Sequence, residues 1–278
     1  MKLPKPRNIR AERYIGGLSK YKKIDRPIKL SANESALGPS PKAIGAFERD
    51  KENILNYPES DSNYLRETIS KKFNIDSTRI ICGAGSDQIF DLTCKLFLEP
   101  GDEVIVTEFG FIMHRIYAEL HGAKVLFAKE KNYQASVDEI LKKVTDKTKI
   151  VFIANPNNPT GTYLSKDMML NLRDKLRSNI LLVIDDAYFE FMNQKDFSCG
   201  LELFKNSKNV LITRTFSKIY GLAGLRLGWG YSSKDIIDAM YQIKPHPIIQ
   251  IFLNIFSNTS NRFNKNFVCL LTSNCKPQ

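Results

Sequence analysis

Four short runs combine residue types that could do chemistry, and each sits beside an apolar stretch. Lys218 closes Arg214-Thr215-Phe216-Ser217-Lys218 and is followed by Gly221, Leu222, Ala223 and Gly224. A lysine in a short loop among hydroxyls and glycines can contact an anion or form a Schiff base with an aldehyde. Asp185 ends the apolar run Leu181-Leu182-Val183-Ile184 and precedes Asp186-Ala187-Tyr188. A carboxylate at a strand tip can hold a metal, act as a base or face a protonated ring nitrogen. Asn155-Pro156-Asn157-Asn158-Pro159-Thr160-Gly161 follows a third apolar run, and its prolines and asparagines make a stiff, hydrogen-bonding loop. Gly83-Ala84-Gly85-Ser86-Asp87-Gln88 is a glycine-rich turn into a helix, where free N–H groups and the dipole favour an anion. Gln88 stands where a dinucleotide fingerprint needs its third glycine, so the turn suits a single phosphate.

Each run alone has a plainer reading: a surface lysine, a strand-end acid, an ordinary turn. Together they specify one ligand. A phosphate would sit on the Gly85/Ser86 helix end with Arg226 as its cation. Asp185 would face a ring nitrogen, Asn158 and Tyr188 a ring oxygen, and Lys218 an aldehyde. That set of groups describes pyridoxal 5′-phosphate, whose sites pair a Schiff-base lysine with an acid on the pyridinium nitrogen.

The elements that must position these residues follow from hydrophobic patterning. Short, mostly apolar runs at residues 79–82, 103–107, 124–128, 149–154, 181–185, 210–214 and 226–231 suit strands buried on both faces of a sheet. Helical patterns lie between them at residues 86–98, 136–144 and 165–177, the second opening with the capping-box spacing Ser136 to Glu139. This alternation predicts an α/β fold with a mostly parallel seven-stranded sheet and helices on both faces. Ligands of such sheets bind outside the carboxyl ends of the strands, where the four runs fall. Residues 1–75, rich in loops, are expected to form an N-terminal arm and a small-domain segment. Residues 76–245 form the cofactor-binding large domain.

Composition narrows the classes. With 278 residues, 42% hydrophobic and 26% charged, the chain is ordinary globular material. The net charge of +11 comes from Lys and Arg scattered along the chain without a dense block or aromatic platform, which argues against a nucleic-acid partner. No apolar run is long enough for a membrane helix, and no secretory signal is expected. The five cysteines have no C-x-x-C pairing and read as reduced thiols of a cytoplasmic protein.

The chain resembles the fold-type I aminotransferases, and among them the histidinol-phosphate aminotransferase family. The residues that carry the resemblance are Leu30-Ser31-Ala32-Asn33-Glu34 with Gly38-Pro39-Ser40-Pro41, Tyr57-Pro58, the Gly83–Gln88 turn, Asn157 to Gly161, Asp185-Asp186-Ala187-Tyr188, and Thr215 to Lys218 through Gly224-Leu225-Arg226-Leu227-Gly228. The resemblance spans roughly residues 8–245. It implies that Lys218 binds the cofactor and moves the substrate proton, and that Asp185 keeps the ring nitrogen protonated. Asn158 and Tyr188 would bond the ring oxygen, and Ser86, Asp87, Thr215, Ser217 and Arg226 would surround the phosphate. Phe109 would stack on the ring face. Tyr57 would reach the phosphate in a neighbouring subunit, which implies a homodimer.

The implied activity is transamination between L-histidinol phosphate and 2-oxoglutarate, a step of histidine biosynthesis. An aromatic aminotransferase or a threonine-phosphate decarboxylase would keep the same cofactor site. The last acidic residue is Asp238, and forty residues follow without one. Residues 246–278 are therefore expected to be an atypical tail of a truncated or frameshifted chain, with most of the small C-terminal domain missing. An inactive fragment is the alternative of another class.

Overall fold

The computed structural model describes residues 11–17, 29–50, 55 and 57–245. The expected tail at 246–278 lies outside the described residues. Two helices come first, α1 (Pro41–Asp50) and α2 (Asn63–Phe73). Then follow β1 (Ile80–Ala84), α3 (Gly85–Phe97), β2 (Glu103–Thr107), α4 (Ile112–Leu120), β3 (Lys124–Ala128), the small hairpin β4 (Glu130–Lys131) and β5 (Gln134–Ala135), and α5 (Val137–Lys142). The chain continues through β6 (Thr148–Ala154), α6 (Lys166–Lys175), β7 (Leu181–Asp185), α7 (Gly200–Phe204), β8 (Val210–Thr215), β9 (Leu227–Tyr231) and α8 (Lys234–Ile243). No helix among the described residues is long and apolar enough to cross a membrane.

The seven long strands form one sheet in the order β1-β9-β8-β7-β6-β2-β3. From β8 to β3 the pairs are parallel, while β9 runs antiparallel to both β8 and β1. The direction of β9 follows from its connection. Only residues 216–226 join it to β8, too few for the crossover that a parallel neighbour requires. The same reversal returns the chain to the sheet edge that β8 has just left, so Lys218 and Arg226 share that edge.

Strand alternation divides the core in two. Leu182, Ile184, Val210 and Ile212 face one side, packed with Leu65 and Ile69 of α2, Ile140 of α5, Met169 and Leu172 of α6 and Phe204 of α7. Leu181, Val183, Leu211, Val104 and Ile150 face the other, packed with Ile89 and Phe90 of α3 and Ile237 and Met240 of α8. Burial on both faces is why these strands read as continuous apolar runs. β3 departs from that expectation. It is the edge strand, and Lys124 and Phe127 are exposed.

Local signals set the helix starts. Ser165 caps α6 by accepting from Met168 N at 3.4 Å. Ser136 accepts from Glu139 N at 3.5 Å, whereas the Glu139 carboxylate pairs with Lys142 at 2.7 Å instead of returning to the cap. α4, α7 and α8 were not among the helical patterns read from the sequence. α4 and α8 carry only narrow buried stripes, and α7 is five residues long.

Candidate active site

A cavity of about 200 Å³ opens at the carboxyl ends of the parallel strands. Ala154 ends β6, Asp185 ends β7 and Thr215 ends β8, while the first turn of α3 closes one side. Ser86, Asp87, Asn158, Asp185, Tyr188, Thr215, Ser217, Lys218 and Arg226 all line it, although they come from five separate segments of chain. Ala32 and Glu34 of the N-terminal segment cover it.

The anion end of the cavity is built by close backbone approach. Gly85 opens α3 with φ +75°, and its N–H donates to the Arg226 carbonyl at 3.0 Å. A Cβ on Gly85 would stand 2.7 Å from Nη2 of Arg226. One on Gly228 would stand 2.4 Å from Gly85 C and Ser86 N, so β9 presses directly on the helix start. Arg226 itself has φ 48°, a left-handed conformation that costs a non-glycine residue about 1–2 kcal/mol. Its guanidinium donates to Ser217 Oγ at 3.3 Å and to Asp87 Oδ2 at 3.2 Å. Burial raises the Asp87 carboxyl above its usual value; Arg226 offsets part of this and Asp185 adds to it. Oδ1 of Asp87 is buried without a hydrogen-bond partner among the described residues. Hydroxyls of Ser86, Thr215 and Ser217, the α3 N–H groups and Arg226 thus converge on a space that fits one phosphate, with Asp87 orienting the arginine.

The opposite end holds a fixed carboxylate. Oδ1 of Asp185 accepts from Ala187 N at 3.2 Å and Thr213 Oγ1 at 3.3 Å. Oδ2 lies 3.5 Å from Nε2 of His114, which is stacked on Phe152 with ring centroids 4.8 Å apart. His114, on α4, was missed by sequence reasoning. It is one of three histidines, with no motif around it, and only the fold places it under Asp185. Between the two ends, Nζ of Lys218 donates to the Ala32 carbonyl at 3.0 Å and lies 5.4 Å from the Tyr188 ring centroid. The Tyr188 hydroxyl accepts from Asn33 Nδ2 at 3.1 Å.

Two of the sequence-derived residues lie elsewhere. Phe109 is not on the cavity wall. The tight turn closed by Gly110 N to Thr107 O, at 3.1 Å, throws it outward against Tyr133, with ring centroids 5.5 Å apart. The aromatic on the wall is Phe111, two residues on, where the chain has turned back to enter α4. Within such a turn side-chain direction has no simple period. Tyr57 is 98% exposed and lies off this chain's own cavity lining.

Residues 25–260 match the family model "Aminotransferase class I and II". The chain is 57% identical over 245 residues to histidinol-phosphate aminotransferase of Pelagibacter ubique, covering 88% of this chain and 68% of that protein. It is 45% identical over 241 residues to histidinol-phosphate aminotransferase of Paramagnetospirillum magneticum, covering 87% and 66%. The fold superimposes with a TM-score of 0.77 on the crystal structure of histidinol-phosphate aminotransferase from Sinorhizobium meliloti in complex with pyridoxal 5′-phosphate, at 24% identity, covering 86% of this chain and 64% of that one. The chain therefore spans about two thirds of the length of the relatives it matches. Similarity of this extent, over residues that include both ends of the cavity, places the chain in the histidinol-phosphate aminotransferase family of class I and II aminotransferases.

Proposed function

We propose that this chain carries the pyridoxal-phosphate site of an enzyme that transfers an amino group between L-histidinol phosphate and 2-oxoglutarate. The observation that carries the reading is the convergence of Lys218, Asp185 and the Gly85–Arg226 cradle on one cavity, in a chain 57% identical to a histidinol-phosphate aminotransferase. When bound, the cofactor supplies an aldehyde for amine exchange and a ring that takes up electron density.

The chain's own residues do the rest. Ser86, Thr215, Ser217 and Arg226 hold the phosphate, and Asp87 keeps the Arg226 fork aimed at it. Asp185, held by Thr213 and Ala187 N, would accept a hydrogen bond from the ring nitrogen and stabilise its positive charge. Asn158 and Tyr188 bond the ring oxygen, and Phe111 supplies the aromatic wall. Lys218, whose Nζ lies at the cavity beside Tyr188, would hold the cofactor through its aldehyde and would serve as the base that moves the substrate proton. Ala32 and Glu34 of the N-terminal segment line the cavity beside Nζ, which donates to the Ala32 carbonyl.

The homodimer belongs to the same reading. Leu30, Leu37, Leu55 and Tyr57 are 82%, 93%, 89% and 98% exposed, apolar side chains of the N-terminal segment that a second subunit would cover. So does the division into an arm at 1–75, a large domain at 76–245 and a distinct tail. Cys82, Cys94 and Cys199 are free and buried, in keeping with a cytoplasmic enzyme.

The test is to purify the chain, add pyridoxal phosphate and record the visible band of bound cofactor, with Lys218→Ala as control. Histidinol phosphate and phenylalanine are then compared as donors to 2-oxoglutarate. A lysine-dependent band with preference for histidinol phosphate is expected. Preference for phenylalanine would overturn the substrate assignment, and no band would mean that this chain is an inactive piece.

A further inference from the structure

Beneath the cavity, on the other face of the sheet, lies a buried charge cluster to which the proposed chemistry assigns no task. Asp186 follows Asp185 on the chain, and Arg214 sits between Thr213, which bonds Asp185, and Thr215, which lines the cavity. Strand alternation sends Asp186 and Arg214 away from the site. Arg214 is 2% exposed. Its Nη2 is 3.7 Å from Asp186 Oδ2 and 3.1 Å from Cys199 Sγ. The guanidinium carbon lies 3.5 Å from the centroid of Phe189, 4.7 Å from that of Phe73 and 5.4 Å from that of Trp229. Nε and Nη1 of Arg214 and Oδ1 of Asp186 have no hydrogen-bond partner among the described residues.

Glu190 completes the cluster. It follows Tyr188 by two residues, interacts with Arg214, and accepts from the hydroxyl of Tyr220. Tyr220 lies two residues after Lys218 and packs on Phe216, with ring centroids 5.4 Å apart. We propose that Arg214, Asp186 and Glu190 act as positioning residues that lock the turn bearing Asp185 and Tyr188 against the loop bearing Lys218. A buried ion cluster with unfilled hydrogen bonds is a poor way to add stability, because apolar side chains of similar volume do as well or better. Its directionality is what it offers: a planar guanidinium clamped by aromatic faces sets the angle of both carboxylates. The inference rests on the assignment of Lys218 and Asp185 to the cofactor.

The cluster also has a protonation signature. One guanidinium serves two carboxylates, and burial pushes Asp186 and Glu190 each up to about 7. The other titratable or charged groups facing it are Asp185, Cys199, Glu202 and Tyr220. The cysteine, raised by burial to about 11, does not titrate near neutrality.

Trp229 is the single tryptophan and touches the cluster, so its fluorescence reports on Arg214 without cofactor. The wild-type chain should show a fluorescence transition near pH 7 that Glu190→Gln and Asp186→Asn shift or remove. Pyridoxal phosphate trapped on Lys218 by borohydride, read by peptide mass, should follow the same pH dependence. It should fall about tenfold in Arg214→Met and show a shifted or weakened pH dependence in Glu190→Gln. Glu190→Gln has the shape of the native residue and still offers Tyr220 an acceptor, so a role in packing alone would leave both profiles as in the wild type; that result overturns the proposal, whether or not Arg214→Met folds. Absence of trapping in the wild type overturns the assignment of Lys218 and, with it, the positioning role. A fluorescence transition that persists in that case would show that the ion cluster exists but positions nothing.

Discussion

Nζ of Lys218 donates a hydrogen bond to the carbonyl oxygen of Ala32, 3.0 Å away and 186 residues earlier in the chain. The ammonium is thereby held against the N-terminal segment, beside Tyr188, at the mouth of the cavity. Lys218→Ala should abolish the visible band of bound pyridoxal phosphate and lower transamination by at least about 10²–10⁴-fold, the usual span for loss of a positioned proton carrier. Absorbance titration and a single-turnover assay measure the two effects. A band of wild-type intensity in the variant would refute the assignment.

Phe111 and Phe109 give a paired test of the cavity wall. Phe111 lines the cavity, whereas Phe109 is 44% exposed and packs on Tyr133. Phe111→Ala should weaken cofactor affinity about tenfold, the equivalent of roughly 1.4 kcal/mol, near the top of the range for aromatic stacking. Phe109→Ala should leave it within about twofold. Equilibrium dialysis of both variants decides, and the reverse order would restore Phe109 to the ring face.

Gly228 lies where β9 meets the start of α3. Its missing Cβ would fall 2.4 Å from backbone atoms of Gly85 and Ser86, which belong to the phosphate cradle and cannot swing aside as a side chain would. Gly228→Ala should cost about 1–3 kcal/mol of stability, the range for overpacking, and weaken cofactor binding as the helix start is pushed off the strand. The urea midpoint and the cofactor dissociation constant should both move. A change in neither would show that this contact is looser than described.

Asp186 predicts a pH dependence of stability. Its carboxyl is raised by burial from 3.8 to about 7, so the native state keeps a proton that the unfolded chain gives up. Between those values the native state binds more protons than the unfolded one, and stability falls as pH rises. The contribution is full below about pH 3.8, is lost by about pH 7 and is flat above. Asp186→Asn should lower the slope of the denaturation midpoint across this window by about half, Glu190 supplying the rest. A variant that keeps the wild-type slope would assign the slope to other groups.

How much of this was legible in the sequence depended on the range of the interaction. The runs that became β2 and β7 were read to their observed ends, because a strand among neighbours writes its burial into consecutive apolar residues. Ser136 and Ser165 were legible as helix starts because a cap acts within one turn. The glycine turn at Gly85, the acid at Asp185 and the lysine at Lys218 stood out because each interrupts an apolar run at its end, and a parallel sheet gathers such ends on one edge.

Other features needed the folded chain. The turning of Phe111 inward and Phe109 outward, the seat of His114 under Asp185 and the clamp on Arg214 leave no local pattern. Each depends on segments far apart in the chain meeting in space, as β7 meets β8 and Lys218 meets Ala32. By itself the sequence determined the seven long strands, the family and the chemical runs that follow the strands, since these rest on periodicity and on short-range hydrogen bonding. Only the tertiary structure decided which of those side chains share a cavity and which buried charges stand behind it, because side-chain direction at turns and the pairing of distant groups are set by packing.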